Sequence, residues 1–303
     1  MNGSLQHALL IVNPHSRNGQ DEALNKAVRK LELSGIEVSV SESQNESHLR
    51  SLIKEYPHEQ GILIIAGGDG TLSSALETVY SCERTLAVFP MGTANDFARS
   101  IGVPEDLMEA AQIILNGKRK RVNLGKVNDT YFINVAHVGL GVDGTNELSS
   151  EEKKHFGIFA YVGGAIKAIK LNNSFKVQIK TDDGQESVRA IHLAIGNGRF
   201  YGGGNVVDEK STLLDGQLHL FCIKAQRWWK LLFLGPRLRK GTSKKTDRVI
   251  SKVAQKFSIQ TSKPREIVAD GESKTTTPAE FKVLSEAIDV FVGDMPMPDS
   301  PGL

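Results

Sequence analysis

Residues 61–99 read GILIIAGGDGTLSSALETVYSCERTLAVFPMGTANDFAR, and this stretch decides the fold. Ile62–Ala66 is an unbroken apolar run, as expected for a strand buried on both faces of a parallel sheet. A glycine-rich turn follows, and Leu72–Tyr80 then carries apolar residues at helical spacing. Thr85–Phe89 predicts a second buried strand, which Pro90 ends. Strand, turn, helix and strand in this order predict a parallel, doubly wound α/β layer.

Each of these two strands ends in a turn that combines glycine with a carboxylate. The first turn is Gly67-Gly68-Asp69-Gly70-Thr71, and the second is Gly92-Thr93-Ala94-Asn95-Asp96. Glycine permits close backbone approach, so such turns can direct several N–H groups at one anion, and a following helix N-terminus also favours phosphate. One such turn alone indicates only a tight bend. Two on consecutive strands, at the edge where open α/β sheets bind ligands, predict a phosphate site.

The composition excludes several classes of protein. The chain has 303 residues, 24% charged and 40% hydrophobic, with a formal net charge of +2. This is ordinary for soluble globular domains and argues against a nucleic-acid binder, which would carry a clear basic excess. Cys82 and Cys222 lie far apart, which predicts free thiols in a reducing compartment. Because no apolar run reaches about 18 residues and the first 20 lack a signal-peptide pattern, we predict neither a transmembrane helix nor secretion.

The chain divides into two parts by its predicted secondary structure. Residues 1–124 alternate strands with helices, whereas residues 125–283 are mostly strands, which predicts a sandwich-like second domain. Asp183-Gly184 predicts a hairpin between two of these strands. In the first part the further elements are strand Ala8–Val12, helix Asp21–Leu33, strand Ile36–Val40, helix Ser47–Tyr56 and helix Pro104–Leu115. In the second part the strands are Tyr131–Val138, Phe175–Lys180, Ser187–Ile195, Gln217–Ile223, Lys256–Gln260, Glu266–Ala269, Glu280–Val283 and Ala287–Val292, with helices at Phe156–Leu171 and Arg227–Lys240.

Three loops admit both a functional and a structural interpretation. Asn13-Pro14-His15-Ser16 could give donors to nucleotide phosphates, or it could only cap the following helix. Gly139–Gly144 spells GxGxxG, but no amphipathic helix begins at its last glycine and no acidic residue follows about 20 residues on, so we reject a dinucleotide site. Gly196–Gly204 has five glycines in nine residues and fits a cleft-lining loop or a broad surface loop.

Three polar segments also stay open. Asp270-Gly271-Glu272 ends a strand and could place one carboxylate as a general base, or both could be solvated. Thr212–Gln217 reads as a plain Asp-Gly turn around Asp215. The segment Arg227–Lys240 combines apolar bulk with five basic residues and no acid. It suits contact with an anionic lipid surface, or a helix that packs on the sandwich with solvated basic ends.

GGDGT at 67–71 together with GTANDFAR at 92–99 resembles the diacylglycerol kinase catalytic-domain family, specifically its bacterial YegS/BmrU-like lipid kinases. GGDGT alone is also similar to NAD kinases and phosphofructokinases, and GTANDFAR narrows the match. Similar family elements recur as Asn-Pro-x-Ser at 13–16, Ile-Asn-x-Ala-x-x-Gly at 133–139, the glycine-rich loop at 196–204 and Asp-Gly-Glu at 270–272. The resemblance implies an NAD-kinase/phosphofructokinase-like first domain, a β-sandwich-like second domain and a C-terminal segment, 284–303, that returns to the first.

The resemblance also implies an activity and the residues that carry it. The activity is transfer of the γ-phosphoryl group of ATP, bound in the interdomain cleft, to a hydroxyl of diacylglycerol, phosphatidylglycerol or a similar lipid. Asp270 is the favoured base, with Glu272 as the alternative; Gly198, Arg199 and Gly203 line the substrate cleft. Mg²⁺ is expected at Asp69 and Asp96, and a structural Mg²⁺ or Ca²⁺ at the Asp215 carboxylate and the carbonyls of Thr212 and Gln217. The ATP-binding residues are Asn13, Ser16, Ser41, Gly67, Gly68, Asp69, Gly70, Thr71, Leu72, Ser73, Gly92, Thr93 and Asn95.

One position departs from the family pattern. Val122-Asn123-Leu124-Gly125 has Asn where relatives carry an Asp of the metal network; Asn keeps an acceptor oxygen but loses the charge. The substitution bears on metal affinity and on how Asp69, Asp96 and Asn123 share the ligand role. A lipid substrate implies a cytoplasmic protein in peripheral contact with the inner face of the membrane; a homodimer stays open, and no nucleic-acid partner is expected. The alternatives are a soluble-substrate kinase such as an NAD kinase, and a non-catalytic nucleotide- or lipid-binding homologue.

Overall fold

The computed structural model describes residues 6–16, 21–139, 174–198, 200–201, 205–206, 211–225 and 249–295. Several sequence predictions lie outside these residues. They are Arg199, Gly203, most of the Gly139–Gly144 loop, and the two helices at Phe156–Leu171 and Arg227–Lys240.

The N-terminal half is a parallel sheet with helices between its strands. The elements are β1 (Gln6–Val12), a 3₁₀ turn (Pro14–Ser16), α1 (Asp21–Leu33), β2 (Ile36–Glu42), α2 (Glu46–Glu55), β3 (Ile62–Gly67), α3 (Asp69–Ser81), β4 (Thr85–Pro90), α4 (Asp96–Ser100) and α5 (Leu107–Asn116). The sheet order is β2-β1-β3-β4, and every neighbouring pair is parallel. Helix α1 packs against α5, and α2 packs against α3, which is the doubly wound layer that the sequence predicts.

Two helices begin three positions away from their predicted starts, and α2 begins one position early, at Glu46. Helix α5 starts at Leu107 rather than Pro104, because the Asp106 side chain accepts the N–H groups of Met108 (2.8 Å) and Glu109 (3.0 Å) and so caps the helix. Helix α3 starts at Asp69, three positions before the predicted Leu72. The end of the first glycine turn is therefore the first turn of a helix.

The C-terminal half is built from antiparallel strands. The strands are β5 (Arg119–Val127), β6 (Thr130–Phe132), β7 (Val135–Gly139), β8 (Phe175–Thr181), β9 (Gly184–Gly196), β10 (Phe200–Tyr201), β11 (Asn205–Val206), β12 (Leu218–Lys224), β13 (Val249–Ala254), β14 (Lys256–Thr261), β15 (Glu266–Ala269), β16 (Glu272–Thr276) and β17 (Ala279–Phe291). The predicted Asp183-Gly184 hairpin joins β8 to β9 and is confirmed. Strands β5, β10, β11, β13 and β16 were not predicted.

Strand β17 links the two halves into one mixed sheet, which has 15 strands within the described residues. The sequence predicts two strands here, but they are one strand, which pairs antiparallel with β14 near its start and parallel with β4 at Val290. Its pairing with β5 shifts register between Leu284 and Ile288, where Glu286 has a φ of 50°. The predicted domain boundaries at 124 and 284 stay a prediction.

Each half has its own apolar core. The N-terminal core includes Phe89 and Phe97, and the C-terminal core includes Phe132, Phe257 and Phe281, all fully buried. Phe97 anchors α4 directly behind the second glycine turn. Across the part of the chain that the structure describes, no helix has the length and apolar character needed to cross a bilayer.

Candidate active site

The two predicted phosphate turns touch each other at the ends of β3 and β4. A Cβ on Gly92 would lie 2.5 Å from the Cα of Gly68, and a Cβ on Gly68 would lie 2.9 Å from the Cα of Gly92. The N–H of Met91 also donates to the carbonyl of Gly67 (3.0 Å). Real Cβ atoms do not tolerate these separations, so only glycine at both positions allows the turns to come together.

The first turn opens into the positive end of α3. Gly68 is the N-cap, it has an extended backbone, and no side chain caps the helix. The first closing bond runs from the N–H of Leu72 to the carbonyl of Gly68 (3.1 Å). The three preceding N–H groups therefore have no acceptor within the helix, and the helix dipole favours an anion here. Gly70 adds no bulk, and a Cβ there would meet nothing within 4 Å.

The loop after β1 is bound to the same helix turn. The side-chain amide of Asn13 donates to the Thr71 hydroxyl (2.8 Å), and its backbone N–H donates to the carbonyl of Ala66 (3.0 Å). The N–H of Ser16 donates to the carbonyl of Asn13 (3.0 Å), which closes the short 3₁₀ turn. Ser41, on the neighbouring β2, lies opposite Ile11 and is half-buried. The structure thus brings Asn13 and Thr71 together.

Asn95 holds the shape of the second turn. Its φ is 51°, its side-chain oxygen accepts the N–H of Gly92 (2.9 Å), and its side-chain nitrogen donates to the carbonyl of Gly92 (3.0 Å). Both ends of the amide are thus engaged by Gly92. Thr93, between them in the chain, is exposed. Asn95 therefore stabilises the conformation of the turn, and Thr93 is the residue of the turn that is exposed to solvent.

Two other residues predicted to bind ATP have no polar group exposed in this conformation. The Leu72 side chain is 3% exposed and belongs to the core, and its N–H is bonded within α3. Ser73 is 8% exposed, and its buried hydroxyl oxygen has no hydrogen-bond partner within the described ranges. The helical face that carries them packs inward.

Asp69 lies where the two turns and the two halves of the protein meet. Its carboxylate accepts the N–H groups of Asp96 (3.0 Å) and Phe97 (3.0 Å), so it caps α4. It also accepts the side-chain amide of Asn134 (3.2 Å), which belongs to the C-terminal half. An ionised carboxylate has about four acceptor positions, so these three donors leave one open. Asp96 is 3% exposed and lies 3.8 Å from the Arg99 guanidinium.

Asp270 lies in the two-residue turn between β15 and β16. Asp270 and Gly271 both have positive φ, 49° and 88°, and Ala269 pairs with Glu272 across the turn. Three successive N–H groups donate to its carboxylate, from Ile133 (2.7 Å), Asn134 (2.9 Å) and Val135 (3.2 Å).

These donors explain why the predicted strand Tyr131–Val138 is two strands. The chain breaks its pairing between β6 and β7, and the released N–H groups form a concave anion site that the Asp270 carboxylate fills. The sequence shows the break only as Ile133-Asn134 inside an apolar run.

The surroundings of Asp270 set its proton affinity. Burial raises the pKa of its carboxyl from 3.8 to about 6; the three N–H donors act in the opposite direction, and the negative charge of Asp69 adds to the rise. A carboxylate with this pKa is ionised at neutral pH and is still basic enough to accept a proton.

Glu272, the alternative base, has a different environment. It forms an ion pair with Lys274, and its side chain is 38% exposed. Lys274 lines a cavity of about 550 Å³ together with Asn128, Asp129 and Glu280. Hydrogen bonds therefore join Asp270 to Asn134, and Asn134 in turn to Asp69. The described contacts of Glu272 include none of these three residues.

Asn197 supports the floor of this site. It is fully buried, its N–H donates to the carbonyl of Asn134 (2.9 Å), and its side-chain amide donates to the carbonyls of Asn123 (2.9 Å) and Ile133 (3.0 Å). Gly198 follows, and a Cβ there would lie 3.0 Å from Leu213. Sequence reasoning missed Asn134 and Asn197 as individual residues, although both stand in the elements at 133–139 and 196–204.

Asn123 is buried beside this group. Its side-chain oxygen accepts the N–H of Glu286 (3.3 Å), whereas its side-chain nitrogen has no hydrogen-bond partner among the described residues. Asn197 Oδ1 and Ser211 Oγ are likewise buried and have no partner within the described part of the chain. Most buried polar atoms in folded proteins are hydrogen-bonded, so these three atoms are exceptions within the described ranges.

The turn at Asp215 is well defined. The carboxylate accepts the N–H groups of Thr212 (3.1 Å) and Gln217 (2.9 Å), and it lies 2.9 Å from the His219 ring nitrogen. This is the Asp-Gly turn that the sequence indicates, and the metal ion expected there stays a prediction. In the described residues no three His, Cys, Asp or Glu side chains cluster as metal ligands, so an ion at either site would depend on carbonyl, water or phosphate oxygens as well.

Two family models match the chain. The diacylglycerol kinase catalytic domain matches residues 7–127, and the YegS C-terminal NAD kinase beta sandwich-like domain matches residues 136–292. The two matches together span most of the chain and correspond in order to its α/β and β-rich parts.

Named relatives agree with the family models over nearly the full length. A diacylglycerol kinase of Staphylococcus epidermidis is 30% identical over 297 residues, which cover 94% of this chain and 92% of that protein. One from Staphylococcus aureus is 29% identical over 290 residues, with the same coverage. A crystal structure of a diacylglycerol kinase from Bacillus anthracis superposes with a TM-score of 0.77 at 26% identity, covering 95% of this chain and 98% of that one. The predicted resemblance is confirmed: the chain belongs to the diacylglycerol kinase catalytic-domain family and is a lipid kinase, a phosphotransferase.

Proposed function

We propose that the protein transfers the γ-phosphoryl group of ATP to the hydroxyl of a diacylglycerol-like lipid. The observation that carries this proposal is the chain of hydrogen bonds from Asp270 through Asn134 to Asp69. It joins a proton acceptor in the C-terminal half to the turn that begins α3 in the N-terminal half. A kinase needs these two components, a base for the acceptor hydroxyl and a phosphate site, side by side.

The residues around the two glycine turns fit the phosphates of ATP. The close contact of Gly68 with Gly92 and the uncapped start of α3 favour an anion, and the bond from Asn13 to Thr71 holds the first loop against the same turn. Ser16, Ser41 and Thr93 lie on the segments around these turns and are proposed nucleotide contacts. Backbone N–H groups and a helix N-terminus carry much of this binding, so it depends little on side-chain charge.

A divalent ion also fits this site. Three donors to the Asp69 carboxylate leave one acceptor position, and Asp96, whose backbone N–H bonds that carboxylate, carries a second carboxylate. Mg²⁺ is commonly held by one or two carboxylates, with water and phosphate oxygens completing the shell. Such an ion would neutralise charge on the transferring group. Asn123 cannot add a charge, so its amide contributes an oxygen ligand at most.

The chemistry of the chain itself centres on Asp270. Three N–H groups fix its carboxylate, so it can accept the proton of a lipid hydroxyl without moving. Its pKa of about 6 keeps it ionised at neutral pH. As the hydroxyl oxygen attacks the γ-phosphorus, its proton passes to Asp270, and the bond to the β-phosphate oxygen breaks. The products are a lipid phosphomonoester and ADP.

The proposed substrate sets the place of action. A diacyl lipid resides in a membrane, so the protein would work in peripheral contact with the inner face of the membrane, from the cytoplasm. The lipid would enter between the two halves, past the loop that begins at Gly198. A structural Mg²⁺ or Ca²⁺ at Asp215 and a homodimer remain part of the proposal.

The test is transfer of radiolabelled phosphate from ATP, with Mg²⁺, to lipids in mixed micelles. Diacylglycerol, phosphatidylglycerol and a sphingoid base would be offered, with NAD as a soluble acceptor. The wild type is compared with Asp270→Asn and with Glu272→Gln. Labelled diacylglycerol that disappears in the Asp270 variant supports the proposal. Labelled NAD would favour a soluble-substrate kinase. No transfer while ATP still binds would favour a non-catalytic homologue. In that case Asn123→Asp, which introduces the residue that relatives carry, is the first variant to test for activity.

A further inference from the structure

We propose that Asn134 is a positioning residue that holds the nucleotide-side carboxylate of Asp69 and the carboxylate of Asp270 in one fixed arrangement. The inference rests on the proposed function and adds to it the residue that couples its two components. Asn134 would not touch the reacting atoms. It would set the distance and angle between the groups that do.

The first ground is that one residue bonds both carboxylates. The backbone N–H of Asn134 donates to Asp270 Oδ1 (2.9 Å), and its side-chain Nδ2 donates to Asp69 Oδ1 (3.2 Å). The two donor nitrogens of Asn134 are separated by only four covalent bonds. With the side chain held in one rotamer, a displacement of one carboxylate relative to the other therefore strains at least one of these two hydrogen bonds.

The second ground is that Asn134 itself cannot move freely. It is 5% exposed, and its carbonyl accepts the N–H of the buried Asn197 (2.9 Å). The neighbouring N–H groups of Ile133 and Val135 bond the same Asp270 carboxylate. Among the described hydrogen bonds of residues 133–135, the one from the side-chain amide of Asn134 to Asp69 crosses to the N-terminal half. Its backbone is thus held in the group of N–H donors that bind Asp270, and its side chain fixes Asp69 relative to that group.

The third ground is charge. Asp69 and Asp270 are both acids, and they lie near enough for the charge of one to affect the other. A neutral donor between them satisfies one acceptor on each carboxylate and adds no charge of its own. An acid at position 134 has the same shape, but it would lose the donor to Asp69 and place a third negative group there. The site therefore favours an amide over a carboxylate at this position.

The experiment compares Asn134→Asp with Asn128→Asp, the same change at a matched asparagine. Asn128 also lies in the C-terminal half and also uses its side chain to bridge segments, donating to the Thr275 hydroxyl (3.0 Å) and accepting the N–H of Glu280 (3.0 Å). We expect Asn134→Asp to lower kcat about 100-fold while the KM values for ATP and lipid change less than about threefold, because misplacement of a base mainly affects the chemical step. We expect Asn128→Asp to leave kcat within about twofold of the wild type. Its urea midpoint should shift by about as much as that of Asn134→Asp.

Two results would overturn the inference. One is a kcat of Asn134→Asp within about threefold of the wild type, and the other is an equal loss in the Asn128 variant. If the wild type phosphorylates none of the lipids, the proposed function fails, and the contact between Asn134 and Asp69 is tested by stability alone.

For that test Asp69→Asn is combined with Asn134→Asp. The double variant should be more stable than the sum of the single changes predicts, because the repulsion between carboxylates at positions 69 and 134 is relieved. Additive changes would show that Asn134 and Asp69 are not coupled.

Discussion

Gly68 and Gly92 are in backbone contact, so a methyl group at Gly92 would lie only 2.5 Å from the Cα of its partner. We expect Gly92→Ala to separate the two turns, to lower the free energy of unfolding by about 2–4 kcal/mol and to weaken ATP binding about tenfold or more, because overpacking of backbone against backbone cannot be relieved by rotating a side chain. Urea unfolding and isothermal titration with ATP would measure the two effects.

Gly70→Ala is the matched control in the same turn. A Cβ at Gly70 would meet nothing within 4 Å, and the residue lies in the first turn of α3. Alanine suits a helix, so the free energy of unfolding should be unchanged or rise by up to about 1 kcal/mol. If Gly92→Ala were as stable as this control, the contact between the two turns would not matter for folding.

The pKa of Asp270, raised to about 6, predicts the pH dependence of the reaction. A base must be ionised, so kcat/KM should rise tenfold per pH unit below about pH 6 and become level above about pH 7. Asp270→Asn should lower activity at least about 100-fold, and the remaining activity should no longer rise with pH below about pH 6. Glu272→Gln should keep the profile, since Glu272 pairs with Lys274. A profile that moves with Glu272 instead would identify that residue as the base.

Protein stability should depend on pH through the same carboxyl group. Its pKa is higher in the folded protein than in the unfolded chain, so the folded protein holds the proton more tightly. The stabilisation is therefore complete below about pH 4 and is lost as pH rises to about 6, amounting to about 3 kcal/mol for a shift of about two units. Urea titrations of the wild type between pH 4 and 7 should show this fall, and those of Asp270→Asn should not. Parallel curves for the two proteins would contradict the burial of this group.

The turn at Asp215 predicts a response to divalent ions. Its carboxylate is already held by two N–H groups and lies beside His219. If it also binds Mg²⁺ or Ca²⁺, adding the ion at about 100 times its Kd should raise stability by about 2.7 kcal/mol. Thermal unfolding with and without each ion, for the wild type and Asp215→Asn, measures this. An equal response of both proteins would remove Asp215 from the proposed metal site.

The buried hydroxyl of Ser211 has no hydrogen-bond partner among the residues that the structure describes, which suggests a stabilising change. Ser211→Ala removes an unsatisfied group at almost constant volume, so the free energy of unfolding should rise by about 1 kcal/mol. Ser43→Ala is the opposite case, because that buried hydroxyl donates to the carbonyl of Val12 (3.3 Å), and its loss should destabilise. Urea midpoints of the two variants should therefore move in opposite directions.

The sequence predicts elements well where local pattern and burial agree. All six residues of β3 are buried, and its unbroken apolar run shows this directly. Strand β5 was missed because it opens with Arg119-Lys120-Arg121, three exposed residues without apolar alternation. Its pairing with β17 comes from residues about 170 positions away in the chain, and no local pattern contains that information.

The site shows the same division. Glycines and carboxylates mark the turns at 67–71 and 92–96, because the need for close approach limits which residues can stand there. The choice between Asp270 and Glu272 depends on which carboxylate meets the N–H groups of residues 133–135. That contact spans more than 130 positions in the chain, so only the folded structure distinguishes the two acids.

Strand β17 has a consequence for the order in which the protein forms during synthesis. β4 is complete at Pro90, but its neighbour in the sheet, β17, is not translated until residues 279–291. At synthesis rates of about 5–20 residues per second, on the order of 10–40 s pass between translation of β4 and translation of its partner strand. During that interval the nascent N-terminal layer has an open, apolar strand edge. An exposed strand edge can pair with strands of other chains, so the nascent protein is most prone to aggregate before β17 is in place.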